Sequence, residues 1–600
     1  MLPIAAMVAA MPRWFTAVVV VFACSSPPKP NPTPRIEHVP ATPLVAAPGS
    51  NVNVAFEALV QEFLDRHFQL SPVDATTAGE HRYDGAWPDL SPDGDARYRA
   101  FADDIAKRLA AVPRGSLDPQ HAIDAAILDD VLRYKRFALD QLKTADVDPM
   151  LYTNLIGEGL DPLVTRNFGT PETRLASLRA RLDGIPVVVA AAKKRLAHPA
   201  KVSTETAIAQ NAGLIALVET ELAPRFAPEQ TADLVASGKR AGAALRDFQQ
   251  FLEKDLLARS DGSFRLGRER FAIKLAFELA DDADPDAVAA GAHALLAETQ
   301  TAMVDTAKQI WADDKLGKLP KLDTADQRKA FVKQVLDRVA KDRPTNKTIV
   351  GDAKRWLDQA TAFVREHDLV RVPDEPVAVI EMPEYRRGVA VAYCDSAGPL
   401  ETKPETFYTI SPTPKDWPKA RVDSFYREYN QSMLAELSIH EAMPGHDLQG
   451  MHNNQFASKL RAVFASGPFV EGWAVYGEWL MAEHGFGGPK VKLQRQKMVL
   501  RLAANAILDH DIHTGSMEEK DALALMKGEA FQEDGEAVGK WKRARLSSAQ
   551  LTTYYYGFTE LLKLRKQAET KPGFTERAYH DKLLSWGSPG MKYVRKLLAL

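Results

Sequence analysis

Apolar residues recur three and four positions apart along most of this 600-residue chain, the period that gathers them on one face of an α-helix. Phe56, Leu59, Val60, Phe63 and Leu64 start the pattern just after Val52. It breaks at LSPVDATTAGEHRYDGAWPDLSPDG, residues 70–94. The Pro, Gly and Asp punctuation there predicts an extended loop, used for packing or, at His81, for lining a cleft. Phe101, Ile105, Leu109, Ile123, Ala126, Ile127, Val131 and Leu132 carry the helical pattern through 92–145. A helix-loop segment follows over 150–168. Further amphipathic helices are predicted over 171–198, 202–222, 229–257, 266–279, 285–311, 325–339 and 347–367. Near Leu369 the period changes. Val370, Val372, Val377, Val379 and Ile380 bring in β-branched residues, and alternation over 388–394 and 406–411 predicts a small sheet or hairpin. Helices resume over 424–439, 447–464, 469–484, 491–512, 520–531, 535–545, 552–568, 576–584 and 591–598. The fold class expected is mainly α: a large multi-helix body with a small β element.

Composition agrees, since Ala, Leu, Glu, Lys and Arg dominate and favour helix. The formal net charge of -3 carries no basic surplus of the kind nucleic-acid binding requires. With only Cys24 and Cys394, no disulfide framework is possible. Cys394 reads as a small core or strand residue. The beginning of the chain is different in character. Arg13 precedes a ten-residue apolar run, 14–23, too short to span a bilayer. It ends in Val-Phe-Ala-Cys24-Ser-Ser, then PPKPNPTP. This is similar to a bacterial lipoprotein signal with Cys24 as the lipidated residue; the plainer reading is a secretory signal with an incidental cysteine. The expectation is therefore a signal over 1–24, a Pro-rich spacer over 25–51, and a body held to the cell envelope by an N-terminal lipid anchor only. Ser25-Ser26 points to the periplasmic side of the outer membrane.

The chemistry concentrates in SIHEAMPGHDLQ, residues 438–449, and EGWAVYGEWL, residues 471–480. Two imidazoles, an adjacent carboxylate and a later Glu are the parts of a catalytic zinc site. His440 and His446 are six residues apart, about 240° on a regular helix, so one unbroken helix would aim them apart. Pro444-Gly445 must break the helix and bring His446 round. Given that, His440, His446 and Glu471 are the expected ligands of one Zn²⁺ per chain, with a fourth position left for water. Glu441 would take the water's proton and return it to the leaving amine. Glu478, seven residues after Glu471, lies on much the same helix face. It is either a support to the ligands or a solvated structural carboxylate. The same residue set could instead be satisfied core polar groups.

HEAMPGHDLQ, EGWAVYGEWL and the run Tyr554-Tyr-Tyr-Gly resemble the bacterial DUF885 family, as do SPVDATTAGEHRYD and the segment 501–515. The family in turn resembles the gluzincin zinc metallopeptidases of the thimet-oligopeptidase and carboxypeptidase Taq type. The resemblance implies the same ligand set and Glu441 as the catalytic Glu. It makes His513 and Tyr554 candidate donors to an oxyanion, against the plainer readings of a core histidine and an aromatic core stripe. Asp509 matches the family pattern. Arg501 either binds a peptide carboxylate or pairs with Asp509, and the structural role is favoured. His510 and His452 are expected at the surface or behind the ligands. The chain departs from the pattern at Asp511, at the missing Trp after Gly515 and at Asp447.

The function expected is hydrolysis of short peptides, by a catalytic subdomain over 369–600 that follows an N-terminal helical subdomain over 52–368. The β element would lie near the active-site cleft, where a strand edge can hold an extended peptide. Two other readings stay open: a non-catalytic envelope lipoprotein that binds peptides in a peptidase-like cavity, and a metal-dependent hydrolase of a non-peptide amide or ester.

Overall fold

The computed structural model describes residues 52–226, 231–374, 377–382, 391–401, 405–454, 456 and 458–599. The expected signal, Cys24 and the Pro-rich stretch 25–51 lie outside the described residues. The fold is mainly α, with one three-stranded sheet among the described residues. No helix among them is long and apolar enough to cross a membrane.

The chain divides into two compact units, one holding residues up to 263 with the excursion 397–401, the other 264–396 and 405–599. The expected boundary at 368/369 thus moves to 263/264. The helices Pro285–Asp313, Ala325–Val339 and Ile349–Glu366 bury Met303, Val335 and Leu357 in the same core as the sheet and the His440 helix. Burial of a shared apolar face, not a change of secondary structure, sets the boundary.

In the first unit, the predicted loop 70–94 carries more order than its punctuation suggests. Pro72 starts a short helix, Pro72–Ala78, and Gly79 closes it at φ +88, a conformation that favours glycine. The fully buried guanidinium of Arg181 then ties the segment down, donating to the carbonyls of Pro72 and Ala86 and to the Thr76 hydroxyl. His81 opens a single turn of 3₁₀ helix, stacked on Phe168 with ring centroids 3.6 Å apart. Its Nδ1 bonds Asp84 at 3.0 Å and its Nε2 bonds Glu401 at 3.1 Å. Partial burial would lower the imidazole's pKa. The hydrogen bonds and charges of Asp84 and Glu401 outweigh this and raise it to about 9. A pKa raised on folding means that stability is fully present below the ordinary value near 6.5 and is lost as pH rises through about 9. His81→Gln is therefore expected to cost about 1–2 kcal/mol at pH 7 after allowance for solvent screening. In urea melts, the difference from the unsubstituted protein should close by pH 9.5; a gap that persists there would mean packing on Phe168, not charge, carries the effect.

In the second unit the sheet order is β1 (Ala378–Glu381), β3 (Phe407–Ile410), β2 (Ala392–Asp395). β1 runs parallel to β3 and β2 antiparallel to it, with Cys394 opposite Tyr408. This is the small β element the alternation predicts, although residues 388–390 lie outside the described set. β2 is an edge strand, and Tyr408 ties the sheet to the His440 helix through Ser438 at 3.3 Å. Helices Gly467–Glu483 and Thr552–Glu569 cross closely because glycine meets glycine. A Cβ on Gly472 would overlap the Gly557 backbone, and one on Gly557 would overlap the Pro468 carbonyl. Those glycines stand one residue after Glu471 and three after Tyr554, so the crossing decides that these two side chains meet.

Candidate metal centre

Helix Gln431–Glu441 starts on Asn430, whose side chain accepts from the amides of Ser432 and Met433. It ends at Glu441, and a new helix, His446–Asn453, begins five residues later. Between them the Met443–Pro444 bond is cis. Gly445 fits against the carbonyl oxygens of Ile439 and His440 where no Cβ could. The Trp473 indole holds the break against the Glu471 helix by donating to the Pro444 carbonyl at 2.8 Å. The helix break required by the six-residue spacing is therefore present. It sets the rings of His440 and His446 at 86° to one another, with centroids 4.7 Å apart.

Both Nε2 atoms then face one carboxylate oxygen. Glu471 Oε2 lies 3.8 Å from His440 Nε2 and 3.5 Å from His446 Nε2. Tetrahedral ligands held at zinc–ligand distances sit about 3.4 Å apart, so one donor atom from each residue can reach a shared ion with little movement. Glu471 Oε2 is buried and makes no hydrogen bond among the described residues. A buried carboxylate oxygen left in that state is costly unless a cation completes it. The residues fit a divalent metal of the zinc type.

The surroundings orient the ligands and favour positive charge among them. His440 Nδ1 bonds Glu478 Oε1 at 2.7 Å, which turns its Nε2 toward Glu471. Burial would lower the His440 pKa. The bond to Glu478 and the charges of Glu478, Glu441 and Glu471 raise it to about 9, a measure of how strongly this site favours positive charge. Burial would likewise raise Glu471, but His446, His440 and the Tyr554 hydroxyl hold its carboxyl below the ordinary range. Glu441 lies beside the ligands, its Oε2 accepting from the Cys394 amide of the edge strand at 2.9 Å.

A sequence model of the family described as "Bacterial protein of unknown function (DUF885)" matches residues 72–598. The chain belongs to the DUF885 family. Among solved structures, a chain described as a "putative lipoprotein of unknown function" from Shewanella oneidensis is 30% identical, with a TM-score of 0.78, covering 91% of this chain and 100% of its own. A second, described as a "putative lipoprotein" from Colwellia psychrerythraea, is 17% identical with a TM-score of 0.74 over 92% of this chain and 99% of its own, and shares the fold. No functionally curated protein matches.

The other residues singled out in this DUF885 chain divide cleanly. Glu478 and Tyr554 come to the centre; the Tyr554 phenol is buried beside Glu471, and burial with that carboxylate's charge pushes its pKa up. His513 does not come to it. Its Nε2 donates to the carbonyls of Ser547 at 2.7 Å and Ala544 at 3.1 Å, and its ring lies flat on Phe271. Its ring proton is spent on a helix end, so the oxyanion role assigned to it is replaced by a structural one. Asp509 accepts from the amides of Ala549 and Thr552 and the Thr552 hydroxyl, anchoring the start of the Tyr554 helix. Arg501 pairs with Glu536, not with Asp509. Eight residues separate Arg501 from Asp509, about 12 Å along one helix. His452 donates to the Arg371 carbonyl, and His510 bonds Asp511 and Asp286.

Three groups at the site escaped the sequence reading. Cys394 serves through its backbone amide, not its thiol. Glu436, one turn before His440, lies beside Glu478. Burial and that neighbour's charge push its carboxyl well above the ordinary range, against the Arg495 guanidinium. The i, i+4 spacing of Glu436 and His440 was the available signal. Arg495 faces both carboxylates from helix Gly488–Thr514 and carried no local signal.

Proposed function

We propose that this DUF885 chain is a zinc-dependent peptidase acting on short peptides, with architecture akin to the gluzincins, tethered to the outer membrane through Cys24 and facing the periplasm. The observation that supports it best is the convergence of His440, His446 and Glu471 on one point with Glu441 beside it. A zinc ion held there would polarise a carbonyl and lower the pKa of a bound water. Glu441 is placed to take the proton of the attacking water and pass it to the leaving amine. The Cys394 amide holds one Glu441 oxygen and leaves the other for the proton. Glu478 keeps His440 in the tautomer whose Nε2 faces the centre. The Tyr554 hydroxyl, beside Glu471, is the donor we assign to an oxyanion. The anchor reading draws on the Cys24 pattern and on the description of the Shewanella oneidensis relative as a putative lipoprotein.

The test is a mixture of short peptides incubated with the purified protein and read by mass spectrometry. Cleavage is expected, with loss after chelation and return on adding zinc. Peptide binding without cleavage by the zinc-loaded protein would instead support a peptide-binding lipoprotein, and cleavage confined to non-peptide amides or esters would change the substrate class.

A further inference from the structure

The two histidines of the centre are not held alike. His440 has a bond of its own, from Nδ1 to Glu478 at 2.7 Å. His446 has no counterpart: its Nδ1 is buried and makes no hydrogen bond among the described residues. A metal-binding imidazole usually donates its second nitrogen to a carboxylate, a carbonyl or water, and that bond aims the ring. At His446 the aim must come from the backbone, through the break that precedes it.

That break is braced from helix Gly467–Glu483, which also carries Glu471 and Glu478. The Trp473 indole donates to the Pro444 carbonyl at 2.8 Å, so the bond stands two residues after one ligand and two before another. Gly477, one turn further along, faces the same segment. A Cβ built on it would lie 3.4 Å from Pro444 Cγ, so the helix lies directly against the break. Trp473 has no room to swing away. It is fully buried, and its ring meets the His580 imidazole edge-on, with centroids 5.7 Å apart and planes at 76°. His580 is fixed in turn: its Nδ1 donates to the Leu369 carbonyl at 2.6 Å, and its Nε2 accepts from the Tyr476 hydroxyl at 2.8 Å. Pro444 is buried as well. Loss of the indole N–H would leave its carbonyl to find another partner, and the segment carrying His446 would have to shift.

We propose that Trp473 is a positioning residue for the metal centre: its hydrogen bond to the Pro444 carbonyl aims His446 at the point shared with His440 and Glu471. This rests on the zinc reading of the centre and deepens it. Trp473 touches neither metal nor substrate and acts through His446.

The test measures zinc affinity on the folded protein, by competition with a chelating dye. Trp473→β-(3-benzothienyl)alanine puts sulfur where the indole has its N–H and keeps the shape of the ring, so the core should still pack. Trp473→Phe removes the same donor with a smaller ring. Both should bind zinc about 10- to 100-fold more weakly than the unsubstituted protein. The visible bands of the cobalt-loaded protein, which report the arrangement of the ligands, should change with it. Tyr476→Phe is the control. It removes a hydroxyl from the same buried cluster without touching Pro444, so the melting temperature should fall while zinc affinity stays. Unchanged zinc affinity in the benzothienyl variant would overturn the proposal. So would an equal loss in Tyr476→Phe, which would mean that loosening this core anywhere has the same effect. The zinc reading is judged separately: no zinc on the unsubstituted protein removes the centre and the role of Trp473 together. One zinc per chain, lost in Glu471→Ala but held at full strength in the benzothienyl variant, keeps the centre and removes the role of Trp473 alone.

Discussion

Glu471→Ala is expected to remove the metal. The unsubstituted protein should carry about one zinc per chain, and the variant close to none at the same free concentration. Glu471 is the one anion among the three converging residues, and both imidazole Nε2 atoms face its Oε2. A structural zinc contributes about 10–16 kcal/mol over its full ligand set, so losing one ligand of three or four amounts to about 10²–10³ or more in affinity. The fold should survive. The Trp473 bond to Pro444 and the glycine contact of Gly472 with Gly557 do not involve the carboxylate. Metal analysis beside a thermal melt reads both. Full zinc occupancy in a folded Glu471→Ala protein would show that the ion sits elsewhere, and the proposed ligand set would be abandoned.

Glu441→Gln should do the reverse: keep the metal and lose the reaction. The amide has the shape of the carboxylate, and its oxygen can still accept from the Cys394 amide. It has no basic oxygen with which to take a proton. General-base contributions are typically about 10²–10⁴ in rate, so kcat should fall by that amount with zinc content unchanged. A variant that hydrolyses peptides at the original rate would mean another group carries the proton. The two substitutions together separate holding the ion from using it.

The helical body was legible because amphipathic period survives without tertiary information, and Ser438–Gln449 was legible because the residue types are themselves the chemistry. His513 shows the limit. Its match to a family pattern suggested an oxyanion donor, whereas its only ring donor is taken by the carbonyls of Ala544 and Ser547. Arg501 shows it again, for its partner Glu536 comes from another helix 35 residues on. Glu436 was within reach of the spacing argument, being one turn from His440, but the reason it matters, the neighbouring Glu478, is 42 residues away in sequence.

By itself, the sequence determined the helices, the place of the β segment, the membership of His440, Glu441, His446 and Glu471 in one chemical set, and the need for a break between the two histidines. These depend on local period, residue type and the dihedral limits of proline and glycine. Only the tertiary structure decided that the break turns His446 toward Glu471 and that the edge-strand amide of Cys394 holds Glu441. Those placements follow from how closely helices can cross, at Gly472 and Gly557 above all, and a crossing is a property of two distant segments that neither one encodes alone.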